Sequence, residues 1–300
     1  MKKPVIGLVI FSLLTVIMLF LSIKAFMQFD EMEPMRKAAV VVEGAKILPE
    51  NEGKLVLVSG LVTADGCIVS DTEFDVTVQA PRLARIVEMC QWENSRGIGN
   101  PKGFAEAVWS SSVQPDQEIN GEWYVNPGSI PFEGDVFHAD APVMLGEFTL
   151  SDKLLKRFYD LPDRRTIVTD LPQSGADKNG LTLDAANYQY YYESNFGIGL
   201  AKLMDIGDVR VYFQMVDPAK LGEITVMAKQ ENGMLTQYQE GISYIELLYD
   251  GILSKDEVLS EEKKWDSVGA IVAVCITLLF AGLAAFNVRK ILKMKAGRKT

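Results

Sequence analysis

The side chains that could do chemistry are few and scattered. His138 is the only histidine in 300 residues, which removes most zinc sites and any histidine triad that draws on a second cluster. It reads as a loop or satisfied surface histidine near Asp135 and Asp140. No Gly-x-Ser-x-Gly elbow, phosphate-binding glycine loop or His-Glu-x-x-His pair occurs. Gly197-Ile198-Gly199 has Lys202 where a third glycine would be needed, so it reads as a turn. Glu133, Asp135 and Asp140 offer carboxylates for a weak calcium site, yet their spacing matches no EF-hand. The other carboxylates fit a generic acidic face better than a paired acid and base. No catalytic, cofactor-binding or metal-binding set is expected, and the chain reads as non-enzymatic.

Three cysteines and a set of aromatics remain. Cys275 lies in an apolar run and reads as a small packing residue. Cys67 and Cys90 could bridge if their strands are neighbours and their Cα atoms come within ~7 Å. Tyr188, Tyr190 and Tyr192 alternate, as one sheet face packed into a core would; a ligand or glycan platform is the alternative. Residues 93–147 are rich in Gly, Pro, Asn and Ser. Long loops are uncommon unless functional, which makes Trp109, Trp123 and Phe132 candidate anchors of a partner-binding loop.

The elements that must position these residues begin at the chain ends. Pro4 to Ile23 and Ser267 to Val288 are uncharged apolar runs, and about 20 residues span a hydrocarbon core of ~30 Å. Arg289, Lys290, Lys293, Lys295, Arg298 and Lys299 follow the second run with no acidic residue among them, which places that tail in the cytoplasm. Two spans then place the N-terminus there too. The first run reads as an uncleaved anchor, with a cleaved signal peptide as the alternative. The expected organisation is a cytoplasmic N-terminus (1–3), a span (4–23), an extracytoplasmic or lumenal domain (24–266), a second span (267–288) and a basic cytoplasmic tail (289–300).

Charge agrees. Setting aside Lys2, Lys3 and the six tail residues leaves 22 of the 30 basic residues against all 40 acidic ones, a net of −18. Such a surface repels phosphate backbones, which argues against nucleic-acid binding. The basic tail suits either anionic headgroups or topology alone.

Within 24–266 the periodicities predict an α+β fold, mainly antiparallel sheet, held between two transmembrane helices. Arg36 to Ala45 reads as a short helix or extended connector. Strands are expected from Lys54, at Phe74–Val78, over 84–92, through the three tyrosines and over 209–215. Asn232-Gly233 marks a hairpin between 224–229 and 234–238. Ser151 caps a helix to Phe158. Ser254 and Glu257 form a capping box whose helix passes Trp265 and runs on toward the second span.

Three segments resemble the LUMA (transmembrane protein 43) family. Pro49-Glu50-Asn51-Glu52-Gly53-Lys54-Leu55-Val56 is similar to its "NEG-basic-LV" strand, and Arg85-Ile86-Val87-Glu88-Met89-Cys90-Gln91-Trp92 to its "VEM-x-QW" strand. Gly207-Asp208-Val209-Arg210-Val211-Tyr212-Phe213 resembles "GD-x-RV-x-F". The resemblance marks Asn51, Glu52, Gly53, Glu88, Gln91, Trp92, Gly207, Asp208 and Arg210 as motif residues. It implies an integral membrane protein that organises membrane protein complexes. Animal members sit in the endoplasmic reticulum and inner nuclear membrane, with lamins and emerin as partners. Two departures stand out: animal members end in several spans where one is found here, and Cys90 replaces a usual Tyr. These point to a bacterial member with a reduced C-terminal membrane region.

The expected role is therefore a scaffold whose partners are the lipid bilayer, other membrane proteins and a second copy of itself, with Ala281, Gly282, Ala284 and Ala285 allowing close helix approach. A membrane-tethered sensor for a lipid, glycan or peptide is the alternative. The expected location is the inner membrane if bacterial, or the endoplasmic reticulum and inner nuclear membrane if eukaryotic.

Overall fold

The computed structural model describes residues 2–97, 100–192, 205–241 and 243–296; the expected turn at Gly197–Gly199 lies outside them. The chain divides into two compact units. The first joins Met1–Gly60 to Glu223–Thr300, and the second is Leu61–Gly222. The stretch 24–266, read from sequence as one domain, is thus shared between them.

The first unit is built on two long helices, α1 (Lys2–Ala38) and α4 (Lys255–Ala296). At ~1.5 Å per residue they reach about 55 and 63 Å, well beyond the ~30 Å that a bilayer core requires. In the apolar windows of these helices, within Val5–Lys24 of α1 and its counterpart in α4, no residue is fully buried in the protein. The helices run antiparallel: Phe11 stacks on Phe280 with ring centroids 6.4 Å apart. A Cβ on Gly7 would lie 2.8 Å from the Asn287 Oδ1, so glycine permits the close approach. The capping box forms as expected, with the Ser254 N–H donating to Glu257 Oε2 (2.8 Å) and the Glu257 N–H to Ser254 Oγ (3.3 Å). Arg36 to Ala45, expected as a short helix or extended connector, is divided: α1 runs through Pro34 to Ala38, Val40–Val42 is a strand and Glu43–Ala45 a 3-10 turn.

A sheet closes this unit. Val40–Val42 lies parallel to residues 56–58 of the strand Leu55–Thr63. Glu223–Glu231 pairs antiparallel with Met234–Thr236 and with Leu247–Asp250. The turn between 231 and 234 is the expected hairpin: Asn232 and Gly233 have φ of 51° and 78°, the doubly left-handed geometry that Asn-Gly supplies at low cost. Leu55, Leu57, Met227, Ile245 and Val258 form the core, so the start of α4 is packed directly on the sheet.

The second unit is organised by one long strand, Arg82–Gly97. This resolves the ambiguous 84–92 segment as strand. One edge pairs with Val209–Val216 from 83 to 89; the other pairs with Asp135–His138 and then Asn100–Ser110. Alternation sorts the side chains. Leu83, Val87 and Met89 face inward with Val209, Val211 and Phe213, while Glu88 stands opposite Arg210 on the other face. Helix α2 (Asp152–Tyr159) begins where Ser151 Oγ accepts the Leu154 N–H, and it buries Leu154 and Phe158.

The tyrosine stripe enters the core only in part. Tyr190 is fully buried, stacks on Phe74 at 5.5 Å and donates its hydroxyl to the Pro172 carbonyl (2.8 Å). Tyr188 and Tyr192 are both 43% exposed. Tyr188 has a φ of 54°, which breaks the two-residue period, and Tyr192 ends its strand. Helix α3 (Gln173–Asn179) packs onto Tyr190 through Gly175, where a Cβ would meet the Phe74 carbonyl oxygen at 2.2 Å.

Two further expectations are corrected. Residues 93–147 are not a long loop: they carry the end of the 82–97 strand, the 100–110 strand and the strands Gln117–Ile119, Glu122–Tyr124 and Asp135–His138. Gly, Ser and Pro interrupt the alternation of these strands, which hides them in the sequence. Cys67 and Cys90 are free and buried separately, with no disulfide. Cys67 Sγ donates to the Ala141 carbonyl at 3.4 Å, while Cys90 sits within the 82–97 strand opposite Trp109.

Candidate functional site

In the first unit, four residues from three elements form a buried clamp. Arg36, in the last turn of α1, is 4% exposed. Its Nη1 reaches Asp266 Oδ2 and its Nη2 reaches Glu262 Oε2, both at 2.8 Å, so one guanidinium fork joins two carboxylates a turn apart on α4. Tyr249, from the sheet, donates its hydroxyl to the other Glu262 oxygen. Burial first, and then this carboxylate, raise the phenol far above its ordinary pKa. Lys255 Nζ donates to the carbonyls of Lys37 (2.5 Å) and Ala39 (2.8 Å), satisfying groups that the end of α1 leaves open. No motif signalled this clamp; only the placement of Arg36 and Glu262 just outside two apolar runs could have suggested it.

In the second unit, the motif residues assemble on the outward face of the sheet. Arg210 and Glu88 are direct cross-strand partners. Arg210 Nε and Nη2 contact the same Glu88 oxygen at 2.7 and 2.6 Å. The guanidinium lies 4.6 Å from the centre of the Trp109 ring, and Trp109 meets Tyr191 edge-on at 6.4 Å. Tyr191 donates its hydroxyl to Asp208 Oδ2, which also accepts the Asp205 N–H. Gly207, at φ 92°, allows the backbone to double back: its N–H donates to the Cys90 carbonyl, and the Cys90 N–H donates to the Asp208 carbonyl. Burial, then the carboxylates of Asp208 and Asp205, push the Cys90 thiol up to about 11. The face presents a planar cation against aromatic rings, with the Tyr191 hydroxyl held on the Asp208 carboxylate beside it.

The remaining motif residues brace the fold. Gln91, fully buried, donates to the Ser112 carbonyl and accepts the Gln114 N–H. The Trp92 N–H donates to Asn126 Oδ1 (2.6 Å), and the Trp92 ring meets Tyr124 at 5.1 Å. Residues 112–126 are thereby pinned to the sheet. Asn51, Glu52 and Gly53 belong to the first unit. Asn51 is buried, Glu52 Oε1 accepts the Asn232 N–H, and the Gly53 N–H donates to Gln230.

The three expected loop anchors separate. Trp109 is on the outward motif face. Trp123 is 65% exposed on a short strand. Phe132 packs edge-on against Phe74 and the core. The small residues of α4 also separate: Ala284 is half-buried, Ala281, Gly282 and Ala285 are exposed, and a Cβ on Gly282 would meet nothing within 4 Å. Helix packing within the chain therefore uses Phe280 and Asn287 instead. Among the described residues no group of three or more His, Cys, Asp or Glu side chains gathers as metal ligands. Glu133, Asp135 and Asp140 do not converge.

The family model described as transmembrane protein 43 matches residues 89–296. The chain belongs to the transmembrane protein 43 family. Transmembrane protein 43 of Rattus norvegicus and that of Mus musculus are each 28% identical to it over 243 residues, covering 74% of this chain and 57% of their own length. The Homo sapiens protein is 27% identical over the same extent. This chain therefore spans a little over half the length of the curated relatives it matches. No solved structure matches it. Family membership and the two apolar helices make it a membrane protein.

Proposed function

We propose that this family member is a non-enzymatic membrane scaffold. In this reading both termini are cytoplasmic, and the parts beyond the bilayer are extracytoplasmic or lumenal. The membrane is the inner membrane if the source is bacterial, or the endoplasmic reticulum and inner nuclear membrane if it is eukaryotic. The observation that carries the reading is the clamp. Two apolar helices are joined to each other and to a sheet through one buried ion cluster, which supports a frame rather than a tethered domain. The outward face around Arg210 and Trp109 supplies a surface of the type that protein partners use, since arginine and tryptophan dominate interface energetics. Ala281, Gly282 and Ala285 leave an unobstructed stripe on α4 for another transmembrane helix, including that of a second copy.

Crosslinking in the native membrane followed by mass spectrometry tests this. Specific membrane-protein partners should copurify with the full chain, and Arg210→Ala or Gly282→Leu should each remove a subset. Complete partner retention by a soluble 28–266 fragment would argue against a role for the spans. A sensing role has one observation in its favour: α4 is a single helix from Lys255 to Ala296, so occupancy at its start could be carried across the bilayer. Lys264→Pro should then abolish output while sparing ligand binding.

A further inference from the structure

In the second unit, an open cleft of about 580 Å³ lies between α2 and the strand Asp135–His138. Its polar wall is Arg82, His138 and Lys156 together with the carboxylates of Asp152 and Asp160; its apolar wall is Val136, Leu155 and Tyr159. A recess of about 430 Å³ lies on the far side of Arg82 and Val136. Arg82 therefore lines both, with Arg85 and Arg165 also facing the second recess.

Arg82 is unusual for this chain. Arg36, Arg85 and Arg210 each hold a carboxylate at 3.2 Å or less. Arg82, half-buried, has no carboxylate within ion-pair distance among the described residues. It rests over the Tyr159 ring at 5.7 Å. Its nearest cationic neighbour, Arg165, is already engaged with Asp160 (2.8 Å) and with the Tyr159 carbonyl. Burial, and then the charge of Arg165, work against the Arg82 cation, and the Asp160 carboxylate partly offsets them. Asp160 lines the same cleft but is held by Arg165 at 2.8 Å, so the Arg82 guanidinium can pair with an anion supplied from outside. The volume falls in the range of small-molecule sites, which combine apolar walls with a few placed polar groups.

We infer that this cleft binds a compact amphiphilic anion, whose carboxylate or phosphate pairs with Arg82 and whose apolar body lies on Val136, Leu155 and Tyr159. His138 and Lys156 would flank the anion. The inference is independent of the scaffold reading, because none of these residues belongs to the clamp or the motif face.

The test is titration calorimetry on the full chain in nanodiscs, with octanoate and octyl phosphate as probes, octanol as the uncharged control, and acetate and inorganic phosphate as head groups without a body. One of the two amphiphilic anions should bind at a single site, and which of them binds identifies the head group. Octanol, acetate and phosphate should bind at least about tenfold more weakly. Arg82→Gln should weaken binding by about tenfold or more while leaving the thermal transition in place. Leu155→Trp, which fills the apolar side, should abolish binding by a separate route and keeps the test decisive if Arg82→Gln does not fold. Lys178→Gln, on the surface outside the cleft, should change nothing. Undiminished binding in both Arg82→Gln and Leu155→Trp, binding of octanol equal to that of the anions, or no binding of either anion would overturn the proposal.

Discussion

The two units solve the problem of buried charge in opposite ways. In the first, Arg36 joins elements more than 220 residues apart, and its carboxylates come from a single helix face. In the second, Arg85 lies inside an aromatic core, 5.0 Å from the centre of the Phe74 ring, and is neutralised by Asp71 and Glu73 from a nearby turn. The first arrangement holds two helices and a sheet in register. The second fills a gap in a core that aromatic stacking already defines. Buried ion pairs are weak evidence for stability but strong devices for fixing one arrangement, so the first unit should depend on its ions and the second on its packing.

The sharpest way to break that contrast is Arg36→Met. Leaving Glu262 and Asp266 without their partner should cost about 3–5 kcal/mol. Thermal unfolding in nanodiscs should show the loss, and limited proteolysis should place it in 223–250 while the 61–222 unit stays resistant. Converting all three residues together to apolar ones should recover most of the stability, since removing a whole buried network is far less costly than breaking it.

The second unit should instead fail through packing. Gly175→Ala drives a methyl into the Phe74 carbonyl and the Tyr190 hydroxyl and should cost about 1–3 kcal/mol. Tyr190→Phe, which keeps the ring and loses only the hydrogen bond to Pro172, should cost about 1 kcal/mol. If Tyr190→Phe proved the worse of the two, the packing account would be wrong. Arg210→Ala should move stability by less than about 1 kcal/mol, because its pair with Glu88 is partly open to solvent; its effect should be seen in partner capture.

The smallest effect concerns the thiols. The raised Cys90 pKa favours the protonated, folded form. Its contribution is fully present below the ordinary value of 9.0 and is lost as pH rises toward about 11. Wild type should therefore lose stability across that interval more steeply than Cys90→Ala, measured by thermal unfolding against pH. Maleimide at neutral pH should label Cys67 and Cys90 only after denaturation and without prior reduction, which distinguishes buried thiols from a bridge.

What could be read from sequence follows signal strength. Long periodic or capped segments were legible: both long helices, the Ser151 and Ser254 caps, the Asn232-Gly233 turn and the 209–216 strand rest on local rules that tertiary context did not override. The motif face was legible only as blocks. Glu88 and Arg210 were marked by resemblance, but nothing in their spacing says that they pair, because strand register is set by partners far along the chain. Trp109 was assigned to a loop because Gly103 and neighbouring polar residues obscure its strand. The clamp and the Arg82 cleft were invisible: each is a meeting of residues from separate elements, and an arginine without a partner looks like any other arginine in a sequence.

One consequence of the discontinuous first unit concerns time. Its opening helix is made early, but the carboxylates that hold Arg36 belong to α4, which starts at Lys255. More than 200 residues separate them, and at about 5–20 residues per second of synthesis the interval is on the order of 10–45 s. The second unit has all of its chain once Gly222 is made and can fold before α4 exists, while α1 waits without the partners of Arg36. Quality-control factors that recognise unpaired charge beside a membrane helix would meet every copy of this protein during that interval, and completion of α4 is what would release it.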